Sequence, residues 1–319
     1  MIWSGVMPAV TTPMKVDLTV DHDLLLRHTS WLLENGCKGL VMLGSLGEGA
    51  TLERDEKIAI LKTAIHASET GDTPVVAAIS SLSTGNAVQL AKDAEAIGCS
   101  GLMVLPPYVY STDWREMKQH VAAVFRATNL PCMLYNNPIA YGTDFIPAQI
   151  AELAGEFSNL QAVKESSANV RRVMAIREIL GDRISILVGV DDVIVEAVYA
   201  GAAGWIAGLV NAFPRESVEL FELALAGRRT EALDLYRWFL PLLRMDTVPK
   251  FVQLIKWVQG QTDTGSAFVR PPRLELAGAE LDEARETLEK ALASRPAVKS
   301  TPFRARGTSS ATNHRFPSH

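Results

Sequence analysis

Residues 131–164, PCMLYNNPIAYGTDFIPAQIAELAGEFSNLQAVK, hold two short apolar runs on either side of one amphipathic stretch. Pro131–Asn136 and Leu160–Lys164 are apolar almost throughout instead of alternating, the pattern of strands buried on both faces. Between them Ile146, Ile150 and Leu153 recur at helical spacing. Strand, helix and strand in this order make a parallel βαβ unit. Its second strand ends on a lone lysine, Lys164.

The unit repeats along the chain. Val6–Thr12, Gly39–Gly44, Pro74–Ile79, Gly101–Leu105, Ile184–Gly189 and Gly204–Gly208 complete a set of eight apolar runs. Amphipathic stretches such as Leu24/Leu25/His28/Leu32 and Ile58/Leu61/Ala64/Ile65 lie between them, punctuated by Asn35-Gly36, Gly71-Asp72, Gly98 and Gly181-Asp182. Eight βα units predict an α/β protein, a (β/α)8 TIM barrel over residues 1–212. A doubly wound sheet is the alternative, but no G-x-G-x-x-G follows the first strand.

After Asn211 the strand pattern stops. Residues 214–260 and 278–293 read as helices, broken by Thr262–Pro272, so 213–294 is expected to be a helical extension packed on the barrel and serving oligomerisation. Arg295–His319 is rich in Ser, Pro, Arg and Thr without apolar periodicity, which predicts a disordered tail over 295–319.

Composition narrows the function. A net charge of −5 over 319 residues leaves no basic footprint for nucleic acid. Cys37, Cys99 and Cys132 are odd in number and far apart, the pattern of reduced core thiols in a cytoplasmic protein. The six histidines show no metal-ligand spacing, so neither a metal nor another cofactor is expected. Met1–Val6 lacks the basic and apolar regions of a signal peptide, and no apolar run is long enough to span a membrane.

In a barrel the C-terminal strand ends and the loops after them build the active site. Those positions carry Thr11-Thr12, Gly44-Ser45-Leu46-Gly47-Glu48, Tyr108, Tyr135-Asn136-Asn137, Lys164, Gly189-Val190-Asp191-Asp192 and Gly208. A lysine desolvated in such a mouth is nucleophilic and forms Schiff bases with carbonyl substrates. The plainer reading of Lys164 is a side chain snorkelling from a strand end or pairing with a carboxylate. Strand parity places Tyr135 and Lys164 on matching faces of adjacent strands, where the phenol becomes a proton shuttle. The amides and hydroxyl of the Gly44–Glu48 turn suit a carboxylate, although a tight turn into the next helix explains those residues equally well.

Taken together, Gly44-Ser45-Leu46-Gly47-Glu48, Pro106-Pro107-Tyr108, Tyr135-Asn136-x-Pro138, Lys164-Glu165-Ser166, Gly204-x-Ile206 and the opening Gly5-Val6-x-Pro8-Ala9-x-Thr11-Thr12-Pro13 resemble the dihydrodipicolinate synthase / N-acetylneuraminate lyase family over about residues 2–295. The resemblance implies a class I aldolase-type barrel. Lys164 would be the Schiff-base lysine and Tyr135 the proton-relaying phenol. Ser45 and the Leu46 amide would hold the substrate carboxylate, Tyr108 would reach across a tight dimer into the partner's site, and Ile206 would supply a backbone carbonyl near the substrate; Gly189 is a further substrate-binding candidate. Tetramers built as dimers of dimers, here a homotetramer, are implied as well. Asn137, Ser166, Asp191 and Asp192 are candidates for the substrate's distal end, the two aspartates reading more simply as solvated loop residues.

Departures from the family pattern bear on the substrate. Leu46 stands where the synthases have a second threonine, so its hydroxyl relay is absent. Ala140 stands where they carry an arginine that clamps the aldehyde substrate's carboxylate. Lys164-Glu165-Ser166 differs from the Lys-Phe-Thr of the neuraminate lyases. The combination looks most like Δ1-pyrroline-4-hydroxy-2-carboxylate deaminase. The alternatives are a 2-keto-3-deoxy sugar-acid aldolase or dehydratase, a 4-hydroxy-tetrahydrodipicolinate synthase, and a non-catalytic barrel that binds a 2-oxo acid.

Overall fold

A computed structural model describes residues 3–68, 73–109, 113–298 and Phe303. Its centre is eight parallel strands: β1 Gly5–Pro8, β2 Leu40–Met42, β3 Val75–Ile79, β4 Gly101–Val104, β5 Cys132–Asn136, β6 Leu160–Glu165, β7 Ser185–Val188 and β8 Gly204–Ala207. Each lies within one of the eight apolar runs or extends it by one residue. Neighbours pair in the order β1-β8-β7-β6-β5-β4-β3-β2. A parallel bridge between Ala9 and Val41 brings the two ends of the sheet together, so the fold is the expected (β/α)8 barrel. Strand side chains are buried on both faces, with Gln161, Gly5 and Ser185 the partly open exceptions, which is why these runs carry no polar alternation.

The intervening helices are α1 His22–Glu34, α2 Arg54–Ser68, α3 Thr84–Ile97, α4 Trp114–Arg126, the single turn α5 Pro138–Tyr141, α6 Pro147–Glu156, α7 Arg171–Leu180 and α8 Ile194–Tyr199. Side-chain caps start several of them. Asp21 accepts from the Leu24 amide at 2.9 Å and Ser83 from that of Asn86 at 3.2 Å, meeting otherwise orphaned donors of the first turn. The turn signal Gly71-Asp72 lies outside the described residues.

Among the described residues four further helices follow β8: α9 Pro214–Leu225, α10 Arg229–Leu243, α11 Phe251–Gln261 and α12 Ala279–Ala293. α9 packs against β1 and α8, in the eighth helical position of the barrel, and α10 lies on α9 and α12. α11 crosses the barrel mouth instead of its side. Lys256 Nζ donates to the Thr12 carbonyl at 2.9 Å, and the Thr11 hydroxyl donates to Gln259 Oε1 at 2.8 Å. Asn211 ties the same region together by donating to the carbonyls of Ala9 and Gly208, both at 2.8 Å.

Of the segment expected as a tail, residues 295–298 and Phe303 are described. Arg295 pairs with Glu216 at 2.6 Å and covers the Phe213 ring, while Phe303 meets Trp31 edge to face at 5.4 Å. The rest of that segment lies outside the described residues. Cys37, Cys99 and Cys132 are free and buried, and burial pushes each thiol up to about 12. Among the described residues no helix is long and apolar enough to cross a membrane.

Candidate active site

Lys164 and Tyr135 end neighbouring strands and are direct register partners across β5 and β6. Both are buried. Lys164 Nζ sits 4.2 Å from the centroid of the Tyr135 ring, within cation–π range. Gly189, just after β7, makes room for the lysine. A Cβ there would lie 2.1 Å from Lys164 Cε and 2.2 Å from Ser166 Oγ. The lysine stem therefore runs against bare backbone, and the Ser166 hydroxyl beside it is buried with no hydrogen-bond partner among the described residues.

Alternation along β6 sends Glu165 the other way. Its carboxylate accepts from Asn136 Nδ2 at 3.0 Å and from the Ser167 amide at 2.7 Å, and burial pushes it up from its usual range. Asn136 also donates to Asp144, which Arg172 grips through two contacts of 2.6 Å. This network fixes the ends of β5 and β6 from behind.

The Gly44–Glu48 loop comes from the opposite side of the mouth. Among the described residues no protein acceptor meets the amides of Ser45 or Leu46, leaving two donors for an anion. The Leu46 side chain is buried. Glu48 holds the loop from below with φ of 55°. Its carboxylate accepts from Lys256 Nζ at 2.6 Å and from the Arg270 amide at 2.9 Å, and both ion-pair partners are fully buried. Chain segments more than 200 residues apart thus set the position of Ser45.

Tyr141 is the member that the strand-end survey missed. Its phenol hydrogen-bonds Ser45 Oγ and interacts with the Tyr135 hydroxyl. Its ring stands perpendicular to Tyr135 at 5.7 Å and over Tyr108 at 4.8 Å. Burial first, then the neighbouring Tyr135 phenol, pushes the Tyr141 hydroxyl well above its ordinary range. The turn Pro138–Tyr141 and its Gly142 cap bring it inward; the only sequence signal was its place one helical turn after Asn137. Tyr141→Phe is expected to keep the ring packing and lower kcat about 10-fold or more, the scale of one lost proton-relay group. Steady-state kinetics with kcat and KM separated check this.

Asn137 is already committed. It donates to the Tyr135 hydroxyl and accepts from the Ala140 amide, both at 3.0 Å, so it orients Tyr135 and caps α5. Asp191 corrects the reading as a solvated loop residue, being fully buried. Its carboxylate accepts from Trp205 Nε1 at 2.9 Å, the Leu209 amide at 2.9 Å and the Gly208 amide at 3.2 Å. The strand end after β8 needed an acceptor for these buried donors. Burial pushes Asp191 up to about 6, against the opposing pull of the Leu209, Gly208 and Trp205 donors and, least of all, of Lys164. Asp192 faces away toward the C-terminal helices, where its carbonyl accepts from Tyr236 and its carboxylate lies 3.9 Å from Arg244. Ile206 is buried in β8, opposite Met7 of β1. Ala140 is exposed on α5.

Comparison with known proteins identifies the family of the chain. The dihydrodipicolinate synthetase family model matches residues 2–291. A 4-hydroxy-tetrahydrodipicolinate synthase of Methanothrix thermoacetophila is 33% identical over 244 residues, covering 76% of this chain and 81% of its own. That of Desulforamulus reducens is 28% identical over 283 residues, covering 89% and 95%. The solved 4-hydroxy-tetrahydrodipicolinate synthase of Methylacidiphilum fumariolicum SolV superposes with a TM-score of 0.87 at 28% identity, covering 92% of this chain and 97% of its own. A prophage protein of E. coli K12 from the dihydrodipicolinic acid synthase family, solved in complex with pyruvate, gives 0.85 at 25% identity, covering 92% and 99%. With a family model spanning the barrel and the C-terminal helices alike, this chain belongs to the dihydrodipicolinate synthetase family and is an enzyme of its class I aldolase type, a lyase.

Proposed function

We propose that Lys164 forms a Schiff base with C2 of a substrate carrying a single carboxylate, and that the substrate is Δ1-pyrroline-4-hydroxy-2-carboxylate. The observation that carries the Schiff-base step is the placement of Lys164: a buried amine in the barrel mouth, over the Tyr135 ring, with Gly189 clearing its path.

The Ser45 hydroxyl and the amides of Ser45 and Leu46 hold the C2 carboxylate. Lys164 adds to C2 and the ring nitrogen leaves with a proton, opening the ring. The protonated imine at C2 then acts as an electron sink. A proton departs from C3 and the C4 hydroxyl leaves as water, giving a C3–C4 double bond conjugated to the imine. One proton from C5 and one from the free nitrogen then move to C3 and C4, which converts that double bond into an imine at C5. Hydrolysis at C5 and at C2 releases ammonia and 2-oxoglutarate semialdehyde. One water is consumed overall, since two hydrolyses follow one dehydration. Tyr135, oriented by Asn137 and linked to Tyr141 and Ser45, moves protons at the carbinolamine and at the C4 oxygen. Ser166 offers its unpaired hydroxyl to the substrate beside the lysine.

The missing arginine supports one carboxylate over two. Ala140 brings no guanidinium, and Arg172 is occupied by Asp144. A 2-keto-3-deoxy sugar acid also carries one carboxylate, which makes its aldolase or dehydratase reaction the second reading. The condensation named for the curated relatives needs a second carboxylate to be held.

A substrate panel separates these readings. The expected result is ammonia release from the hydroxypyrroline carboxylate, with no pyruvate from sugar acids and no condensation of pyruvate with aspartate semialdehyde. Pyruvate release from a 2-keto-3-deoxy sugar acid without ammonia would shift the assignment to an aldolase. Binding without turnover of any 2-oxo acid would make the protein a sensor.

A further inference from the structure

The C-terminal helices do more than cover the barrel. α10 runs into a 3-10 turn, Arg244–Asp246, which lays the Asp246 carboxylate over Gly208 at the end of β8. A Cβ on Gly208 would meet Asp246 Oδ1 at 2.1 Å and its Cγ at 2.7 Å, so this approach requires glycine. The Asp191 carboxylate reaches the same residue through the Gly208 amide at 3.2 Å. Two carboxyl groups therefore flank one glycine, and both feel the charge of Lys164.

The two groups are not equivalent. Asp191 is sealed in and its oxygens are taken by Trp205, Gly208 and Leu209. Asp246 is partly open, and among the described residues no donor reaches its carboxylate. Desolvation and the adjacent Asp191 push the Asp246 carboxyl well above the ordinary carboxylate range. The nearby guanidiniums give no relief. Arg244 points to Asp192 at 3.9 Å with 62% of its side chain exposed, and Arg172 belongs to Asp144. Beyond Lys164 neither of these guanidiniums reaches the pair, and a further cation arriving there would relieve the repulsion between the carboxyls.

We propose that Asp246 is a specificity-determining residue of this mouth: its carboxyl group, ionised by the arriving charge, receives a cationic nitrogen of the substrate. The substrate class is then a 2-carboxylate with a basic nitrogen, such as a protonated cyclic imine and the ammonium formed when its ring opens. The inference rests on Lys164 marking the reacting end, and it names the chemistry of the other end. It also explains why a glycine closes β8: only bare backbone lets a residue from the C-terminal helices reach the barrel's site.

Two isosteric probes test it. Pyrrolidine-2-carboxylate carries a ring ammonium where tetrahydrofuran-2-carboxylate carries a neutral oxygen. Calorimetric titration of the full chain should show the ammonium ring bound about 10-fold more tightly, the scale of one partly desolvated charge contact. In Asp246→Asn the two should bind within about 2-fold of each other, while Asp246→Glu should keep a preference for the cation. Equal binding of the two probes by the wild-type protein overturns the proposal even where a variant does not fold. So does a preference that Asp246→Asn leaves intact. Borohydride trapping of pyruvate on the wild-type protein is run beside it. Trapping without cation preference removes the role of Asp246 alone, whereas cation preference without trapping removes the Schiff-base reading alone.

Discussion

Lys164→Ala should fold like the wild type, form no borohydride-stable adduct with pyruvate, and lose turnover by about 10⁴-fold or more, the scale of removing a covalent nucleophile. Folding should survive because the Lys164 amine is in no ion pair among the described residues; its neighbour is the Tyr135 ring. Lys164→Arg sharpens the test. Arginine keeps a cation over Tyr135 but cannot form the imine, so it should be as inactive as alanine. Initial rates and intact-protein mass after borohydride are the measurements. Substantial turnover by either variant, or an adduct on another lysine, would end the assignment of Lys164.

Lys256→Met should be the most destabilising single change outside the reacting atoms. Lys256 and Glu48 are both fully buried and bonded at 2.6 Å. Removing the lysine leaves the Glu48 carboxylate buried with the Arg270 amide and a guanidinium of Arg273 at 3.9 Å. Breaking a buried pair from one side costs about 3–5 kcal/mol. For a chain of this size that is a fall in Tm of roughly 10 °C. The double variant Lys256→Met with Glu48→Gln should recover part of the loss, because no charge is then stranded. Thermal unfolding reads the stability. The same loss of anchorage should raise KM for the carboxylate substrate, since Glu48 ends the loop that carries Ser45. Unchanged Tm in the single variant would show that the pair contributes nothing.

The strongest parts of the site were legible in the chain itself. Strand alternation has a period of two, so Tyr135 and Lys164 could be placed on matching faces before their distance was known, and they are register partners. Gly189 was recognisable as a strand-end residue, although its reason, a lysine stem at the place of its missing Cβ, was not. Tyr141 escaped because it lies on a one-turn helix after the strand and bonds a serine 96 residues away. Asp191 was misjudged for a related reason. Two adjacent aspartates in a loop read as solvated, yet the first serves buried amides after β8 and the second faces Arg244. Nothing within a few residues of either aspartate distinguishes them.

The amino-acid sequence by itself determined the eightfold βα repeat, the strand-end positions of the reactive residues, and the family. The repeat and the strand ends rest on periodicity and spacing between chain neighbours, which backbone geometry converts directly into faces and ends, while the family rests on the resemblance of the motifs from Gly5 to Ile206. Only the tertiary structure decided how the mouth is furnished: that Lys256 and Arg270 hold the Ser45 loop through Glu48, that Tyr141 links Ser45 to Tyr135, and that Asp246 reaches across Gly208. These contacts join segments tens to hundreds of residues apart. Their geometry depends on how helices pack on a closed barrel, which no local pattern records.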